Sequence, residues 1–403
     1  MSGLMHVVSL QQPAGVEAHF TEFVTRAAAR HPAWTHGWLN PAERLHPFFR
    51  EPLARVLAAE ARTKYRFGVK LPSRPRALRR AHCRSFLKRT SPDVVLIWNR
   101  TSKLGYVLDA AGDGRCVHWE HGAIWHEGRE RERAEYLRRV PLAIANSHAA
   151  ERVLRLGWDY RGDVHVCLNA LRPSLVPEAP RAKRHPGDGP IRLGVAARLF
   201  PVKGVPLALH ALARLRARGV EAVLDVAGEG PERGRLEALA RDLGIAERVR
   251  FRGAVSDMRA FYEGIHCLVH PALTEAFGLV AIEAAVHGCP VIAAAVDGLP
   301  EAVAHGITGR TLPPTLQASD YAALGSSLDG VPALVYDPAA DAIAPPRLVD
   351  PAMLAAAIEA LFADPGTYER LSAAASAHVL ERFRFDEHVD RVMAVIAEFA
   401  ASR

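Results

Sequence analysis

The sequence predicts an α/β protein built from two doubly wound domains that face a central cleft. Short β-branched runs alternate with helical patterns along most of the chain, the strand runs are almost continuously apolar, and a proline-rich stretch, RPSLVPEAPRAKRHPGDGP (172–190), divides the alternation into halves. Strands that are apolar on both faces belong in parallel sheets covered by helices on both sides. At 403 residues the chain also exceeds the size at which a single core stops growing. The expected domains are therefore residues 1–172 and 191–382, joined by a linker over 173–190. The closing helix, about 383–403, is expected to pack back on the first domain.

In the first half, strands are expected at MHVVSL (5–10), DVVLIW (93–98), CVHW (116–119), LAIAN (142–146) and VHVCLN (164–169). The first helix carries Val16, Phe20, Phe23, Val24 and Ala27 on one face. The second half repeats the pattern with IRLGVAA (191–197), AVLDVAG (222–228), VRFRG (249–253), CLVHP (267–271) and PVIAA (290–294). Residues 313–349 show no sustained period and read as an irregular insertion; a lid, a partner contact and passive disorder are all open. The last helix, FRFDEHVDRVMAVIAEFA (383–400), has Phe385, Val389, Val392, Met393 and Ile396 in one stripe.

Composition excludes several classes. With 49% apolar and 24% charged residues the chain is an ordinary globular one. Its most apolar window, 286–296, is short and broken by His287 and Pro290, and MSGLMHVVSL has neither a basic leader nor a long apolar core. Neither a membrane span nor a signal peptide is expected. The five cysteines are scattered, odd in number and never spaced CxxC, which argues for a reducing cytoplasm and against a zinc site. The net charge of +7 is concentrated: Arg62 to Arg89 holds eleven Lys or Arg and no acid. A solvated face accounts for such a run, and so does a patch for anionic headgroups or a phosphorylated acceptor. Nucleic acid is not expected, because no recognised module surrounds it.

The chemistry concentrates in TEAFGLVAIEAAVHGCPVIAA (274–294), an apolar stretch holding Glu275 and Glu283 with seven residues between them. Buried carboxylates need a counter-ion or strong donors. The helix is expected to begin near Phe277–Gly278 and to stop at Gly288, ahead of Pro290. Glu275 then lies in a loop at a strand end, Glu283 inside the helix, and Gly278 at a helix N-terminus suited to an anion. Two readings stand side by side: a polyol bound by both carboxylates, or an N-cap glutamate plus a helix glutamate salt-bridged to a neighbour. RLFPVKG (198–204) brings Arg198 and Lys203 to the same strand-terminal face, where two cations suit a diphosphate. In QQPAGVEAHF (11–20), Gly15 lets backbone approach a phosphate, and VHWEHGAIWHEG (117–128) places His121 just past a strand end.

ARLFPVKG, AGEGPERGRLEAL, FRGAVSDM, PALTEAFGLVAIEAAVHGCPVIAA, DGLPEAVAHGITGR and RFRFDEHV together resemble the donor domain of glycosyltransferase family 4, which is retaining, metal-independent and of GT-B architecture. The resemblance is strong over roughly 190–313 and 350–400 and weaker in the first half. It implies two Rossmann-like domains and transfer of a hexose from a UDP- or GDP-linked sugar, with no cofactor, to a saccharide or lipid-linked acceptor. Such acceptors occur in cell-surface polysaccharide or lipopolysaccharide biosynthesis, at the cytoplasmic side and peripherally on the inner membrane face. By the same resemblance Glu275 holds the donor sugar and Glu283 the ribose. Arg198 and Lys203 clamp the diphosphate, helped by the backbone at Phe277, Gly278 and Leu279. Gly15 approaches the phosphates, and His121 contacts the sugar, with His118 and His126 as rivals. The sequence departs from the family at Ala14–Gly15, where a double glycine is usual, at NALRP (169–173), and in the 313–349 insertion. A sugar-nucleotide epimerase and a non-catalytic glycan-binding protein are the alternatives; the four charged residues being present together disfavours the second.

Overall fold

The computed structural model describes residues 2–11, 15–42, 46–72, 75–99, 101–125 and 128–403. They form two units, Met1–Leu168 with Phe385–Arg403, and Asn169–Arg384.

The first unit contains β1 (Ser2–Val7), β2 (Trp34–Asn40), β3 (Leu57–Arg62), a small ribbon of β4 (Tyr65–Arg66) and β5 (Val69–Lys70), then β6 (Val94–Trp98), β7 (Cys116–Glu120), β8 (Leu142–Ala145) and β9 (Asp163–Val166). Its seven-stranded sheet runs in the order β3-β2-β1-β6-β7-β8-β9, with every pair parallel. Strands β6, β7 and β8 are buried at every residue, as their apolar runs require. Neither β2 nor β3 is among the expected strands. WTHGWLN is diluted by polar residues and glycine, and LAAEAR is an edge strand with only partial burial. The closing helix Phe385–Ala401 packs on Gly15–Arg30. Phe385, Val389, Val392 and Ile396 are buried, while Asp386 and Asp390 pair with Arg26 and Arg30.

Beneath these helices lies an aromatic core of Trp98, Trp119, Phe20 and Phe23, interleaved with His6, His19, His36 and His388. Trp98 Nε1 donates to His6 Nδ1 at 3.1 Å, so His6 must carry its proton on Nε2 and donate to His36 Nδ1 at 3.0 Å. Burial, with the neighbouring His36, pushes the His6 pKa well down; burial likewise lowers His36 to about 4 and His388 to about 4. These rings are neutral near pH 7.

The second unit contains β10 (Ile191–Ala196), β11 (Ala222–Ala227), β12 (Val249–Gly253), β13 (Cys267–His270), β14 (Val291–Ala294) and β15 (Gly309–Leu312) in a parallel sheet of order β12-β11-β10-β13-β14-β15. Strand order reverses between β10 and β13, and in open α/β sheets ligands bind at such switch points, outside the carboxyl ends. In the first unit the equivalent reversal lies between β1 and β6. Residues 173–190, expected as a linker, cluster with the second unit: the backbone N–H groups of Arg181 and Lys183 donate to Ser376 and Ser372 of helix Pro365–Arg382.

Residues 313–349 are folded rather than irregular. They form β16 (Leu316–Gln317) paired with β19 (Arg347–Leu348), and a hairpin of β17 (Val335–Asp337) and β18 (Ala342–Ala344). Tyr321, Val331 and Leu348 bury themselves against Leu207 and Leu273 of the sheet domain. The pieces are too short to show a period, and their core partners lie far away in sequence.

Candidate active site

The loops after β10 and β13 meet at the switch point of the second unit. Gly204, in the left-handed region at φ 66°, makes this possible: an added Cβ would lie 1.9 Å from the Pro271 carbonyl oxygen. Leu273 N–H then donates to Val202 O at 2.8 Å, knitting RLFPVKG to the loop that carries Glu275. The result is an ion pair, Lys203 Nζ to Glu275 Oε2 at 2.6 Å, with both side chains mostly buried. His270, the last residue of β13, places Nε2 at 3.2 Å from the same oxygen, and against a carboxylate that nitrogen must be the donor. Desolvation works to raise the Glu275 pKa, but the Lys203 ammonium and the His270 hydrogen bond outweigh it and hold the carboxyl well below its usual range. Glu275 is therefore ionised near pH 7.

Two further groups fix this loop. Asp297, buried and left-handed at φ 45°, accepts on Oδ2 from Thr274 Oγ1 at 2.6 Å and from Glu275 N at 3.0 Å. Gly278, at φ 97°, ends the loop as the N-cap of helix Leu279–Val286, and a Cβ there would lie 2.6 Å from Leu299 Cδ2. The first N–H groups of that helix, which have no intrahelical partner, follow directly on the Lys203–Glu275 pair along the chain.

Glu283 has different company. Its Oε1 accepts from Arg172 Nη2 and Nε at 2.7 and 3.0 Å, and its Oε2 accepts from Tyr262 Oη at 2.9 Å. The Tyr262 pKa is raised well above normal, by burial first and then by the Glu283 charge. The four charged residues expected at the donor site thus do not form one cluster of side-chain contacts. Lys203 and Glu275 meet each other, Glu283 is held by Arg172 and Tyr262, and Arg198 is exposed with its guanidinium over the Phe200 ring at 5.3 Å. Phe277 is buried and packs edge-on against Phe383, so it supports the loop through its side chain, while Leu279 opens the helix.

In the first unit, Gly15 begins helix Gly15–Arg30, and a Cβ there would meet nothing within 4 Å. Close backbone crossing does not require glycine at that position; Ala14 lies outside the described residues. The His121 loop follows β7 and is built by two buried or strained acceptors. Asn99 Oδ1 takes the N–H groups of His121 and Ala123, and Glu120 takes those of Gly122 and Ile124. The His121 ring stacks on Trp98 at 5.4 Å, and burial, followed by the nearby His388 and His118 rings, lowers its pKa to about 3. Among the described residues its buried Nε2 has no hydrogen-bond partner. The rival His118 is fully buried between Glu120, at 2.8 Å, and Tyr136, at 3.1 Å, which accounts for it structurally; His126 lies outside the described residues.

The Arg62–Arg89 run spans β4, β5 and helix Ala77–Thr90, apart from Ser73 and Arg74, which are outside the described residues. It borders a cavity of about 550 Å³ lined by Arg62, Arg66 and Arg89 together with Tyr65, Leu71 and Leu78. Phe67 and Val69 beside it are largely exposed. Among the described residues no helix is long and apolar enough to cross a membrane.

Two doubly wound domains with a cation–carboxylate pair at a switch point define a ligand-binding α/β class, and comparison with known proteins narrows it. Residues 177–328 match the family model of glycosyl transferases group 1. The chain is 35% identical over 275 residues to a D-inositol 3-phosphate glycosyltransferase of Streptomyces bingchenggensis, covering 64% of this chain and 52% of that protein. It is 32% identical over 214 residues to the lipopolysaccharide core biosynthesis glycosyltransferase LpsE of Rhizobium meliloti, covering 52% of this chain and 58% of that one. The chain thus spans little more than half the length of these relatives. In fold it matches Anabaena HepE, solved in complex with UDP and glucose, at a TM-score of 0.72 and 17% identity over 99% of this chain and all of that one. The architecture is GT-B.

Proposed function

We propose that this protein is a retaining glycosyltransferase that moves a hexose from a nucleoside diphosphate sugar to a saccharide or lipid-linked acceptor. The observation that carries the proposal is the Lys203–Glu275 pair at the switch point, beside a helix N-terminus. Lys203 has three N–H donors and spends one on Glu275, so others remain for a diphosphate. As the diphosphate leaves, its growing negative charge meets Lys203, the exposed Arg198 and the N–H groups of Gly278 and Leu279. Preorganised electrostatic stabilisation of this kind commonly lowers a barrier more than any other single effect. No metal enters this scheme. Glu275, kept ionised, accepts sugar hydroxyls on the oxygen that Lys203 and His270 leave available. Glu283 retains acceptor capacity on Oε2 for a ribose hydroxyl, while Arg172 holds its other oxygen. His121, neutral and with its Nε2 unpartnered among the described residues, offers a hydrogen bond to the sugar.

The UDP and glucose bound to HepE make UDP-glucose the first donor to test, with GDP-sugars next. Thermal shift with these ligands gives the first reading: a ligand at 100 times its Kd stabilises the protein by about 2.7 kcal/mol. The product's anomeric configuration, read by NMR, tests retention. The lipopolysaccharide relative and the basic run suggest an acceptor at an anionic, cytoplasmic membrane face, contacted through Arg62–Arg89 with Phe67 and Val69. Vesicles with anionic lipid are expected to co-sediment the protein at low salt, and neutral vesicles are not. Equal binding to both removes the membrane part.

A further inference from the structure

We infer that the 313–349 segment is a brace across the carboxyl ends of the second unit's sheet and that it positions the Lys203–Glu275 pair, an inference that rests on the donor-site reading above. Three contacts carry it. Tyr321, wholly buried, donates its hydroxyl to Pro201 O at 2.7 Å, two residues before Lys203. Tyr336, in β17, donates its N–H to Asp297 Oδ1 at 2.7 Å and accepts from Asp297 N at 3.0 Å. The other oxygen of that same carboxylate holds Thr274 and Glu275. Ser326 donates to Glu232 at 2.9 Å, reaching the loop after β11 as well. One segment therefore grips the loop of Lys203, the loop of Glu275 through Asp297, and a third strand-end loop on the far side of β10.

Asp297 is the hinge of this arrangement. It sits at a positive φ that a non-glycine residue adopts only under constraint, and its carboxylate is shared between the sheet domain's own loop and the insertion. Tyr321 contributes packing as well, filling a cluster with Leu207, Leu273 and Leu348, against which Val202 packs. A lid would leave such contacts exposed and few. These are buried; one ends on a backbone carbonyl of the Lys203 loop, and the other two end on the Asp297 and Glu232 carboxylates. Tyr321 and Asp297 are thus positioning residues, acting through Lys203 and Glu275.

Hydrogen exchange by mass spectrometry and acylation of Lys203, both on the full chain, read the brace without reference to any substrate. Tyr321→Phe is expected to speed exchange over 199–204 about threefold to tenfold, the loss of one hydrogen bond. Asp297→Gly keeps the left-handed backbone while deleting the carboxylate, and is expected to speed exchange over 272–278 about tenfold or more. Both should raise Lys203 acylation. Asp329→Ala, in the same segment but, among the described residues, bonded to Ser327 rather than to a site loop, should behave as wild type. Unchanged exchange and acylation in both variants overturn the brace, and so does a loosening spread evenly over β10 to β15. Turnover of the same proteins separates the two proposals. Loosened loops with wild-type kcat leave the brace standing and refute the pair's role in transfer, whereas lost kcat with unchanged loops refutes the brace.

Discussion

Glu275 and Glu283 sit eight positions apart on one apolar stretch, yet they solve the problem of buried charge in opposite ways. Glu283 is 4% exposed, with both oxygens engaged by the arginine and tyrosine that surround it. Glu275 takes Lys203 and His270 on a single oxygen, and its side chain is still 19% exposed. A carboxylate engaged on both oxygens holds a fold together first and has only a leftover lone pair to offer a ribose hydroxyl. One that is kept ionised by partners on one side retains a face for a ligand. The contrast shows that an acidic pair spaced on one helix and its leading loop need not be one functional unit.

The largest effects should fall on the Glu275 side. Lys203→Ala or Glu275→Ala is expected to cut transfer at least about 100-fold, the cost of one lost transition-state donor, while the protein stays folded by circular dichroism. Near-normal turnover in both would dissolve the functional half of the contrast. On the Glu283 side the effect should be on stability: Glu283→Ala strands Arg172 and the Tyr262 hydroxyl and should cost about 3 kcal/mol in urea denaturation, as for other broken buried pairs. Tyr262→Phe removes one bond to a charged acceptor and should cost about 1.5 kcal/mol. A Glu283→Ala protein as stable as wild type would contradict the structural half.

A smaller effect separates the first unit's histidine cluster from the Lys203–Glu275 loops by pH; His266 and His287, elsewhere in the second unit, are also lowered to about 4 by burial. His36, His121 and His388 have folded pKa values of about 4, 3 and 4, below their unfolded value near 6.5. Between those values the unfolded chain binds protons that the folded one refuses, so their contribution is complete above pH 6.5 and is lost progressively as pH falls toward 4. Glu275, also depressed, contributes above the ordinary carboxylate pKa and loses that contribution only at lower pH. The first unit should therefore loosen before the Lys203–Glu275 loops do, as peptide-resolved hydrogen exchange at pH 7 and pH 5 would reveal. Loops 198–204 and 271–278 loosening first would reverse that order.

What the sequence makes legible follows from locality. The buried strands β6, β7, β8, β10, β11 and β13 announce themselves as apolar runs, and Lys203, Gly278 and Glu275 as charged or glycine residues at their ends. Among the strands of the two large sheets, those that stay hidden are β2, β3 and β15; β3 and β15 lie at sheet edges, and GRTL is as polar as a loop. The unseen site residues are those defined by distant contacts. Arg172 lies 111 residues from Glu283, Tyr321 lies 120 from Pro201, and Asp297 lies 39 from Tyr336. His270 is within reach of sequence reasoning: a histidine closing an apolar strand five residues before Glu275 is a ready hydrogen-bond donor.

The claim that an activated sugar is gripped at the β10–β13 switch point is tested most directly by calorimetric titration of a nucleoside diphosphate and its sugar into wild type, Lys203→Ala and Glu275→Ala. Lys203→Ala should weaken both ligands at least about tenfold, the scale of one charge-assisted bond, and Glu275→Ala should weaken only the sugar-bearing one. Identical affinities in all three proteins, or no binding by wild type across the UDP and GDP series, would contradict it.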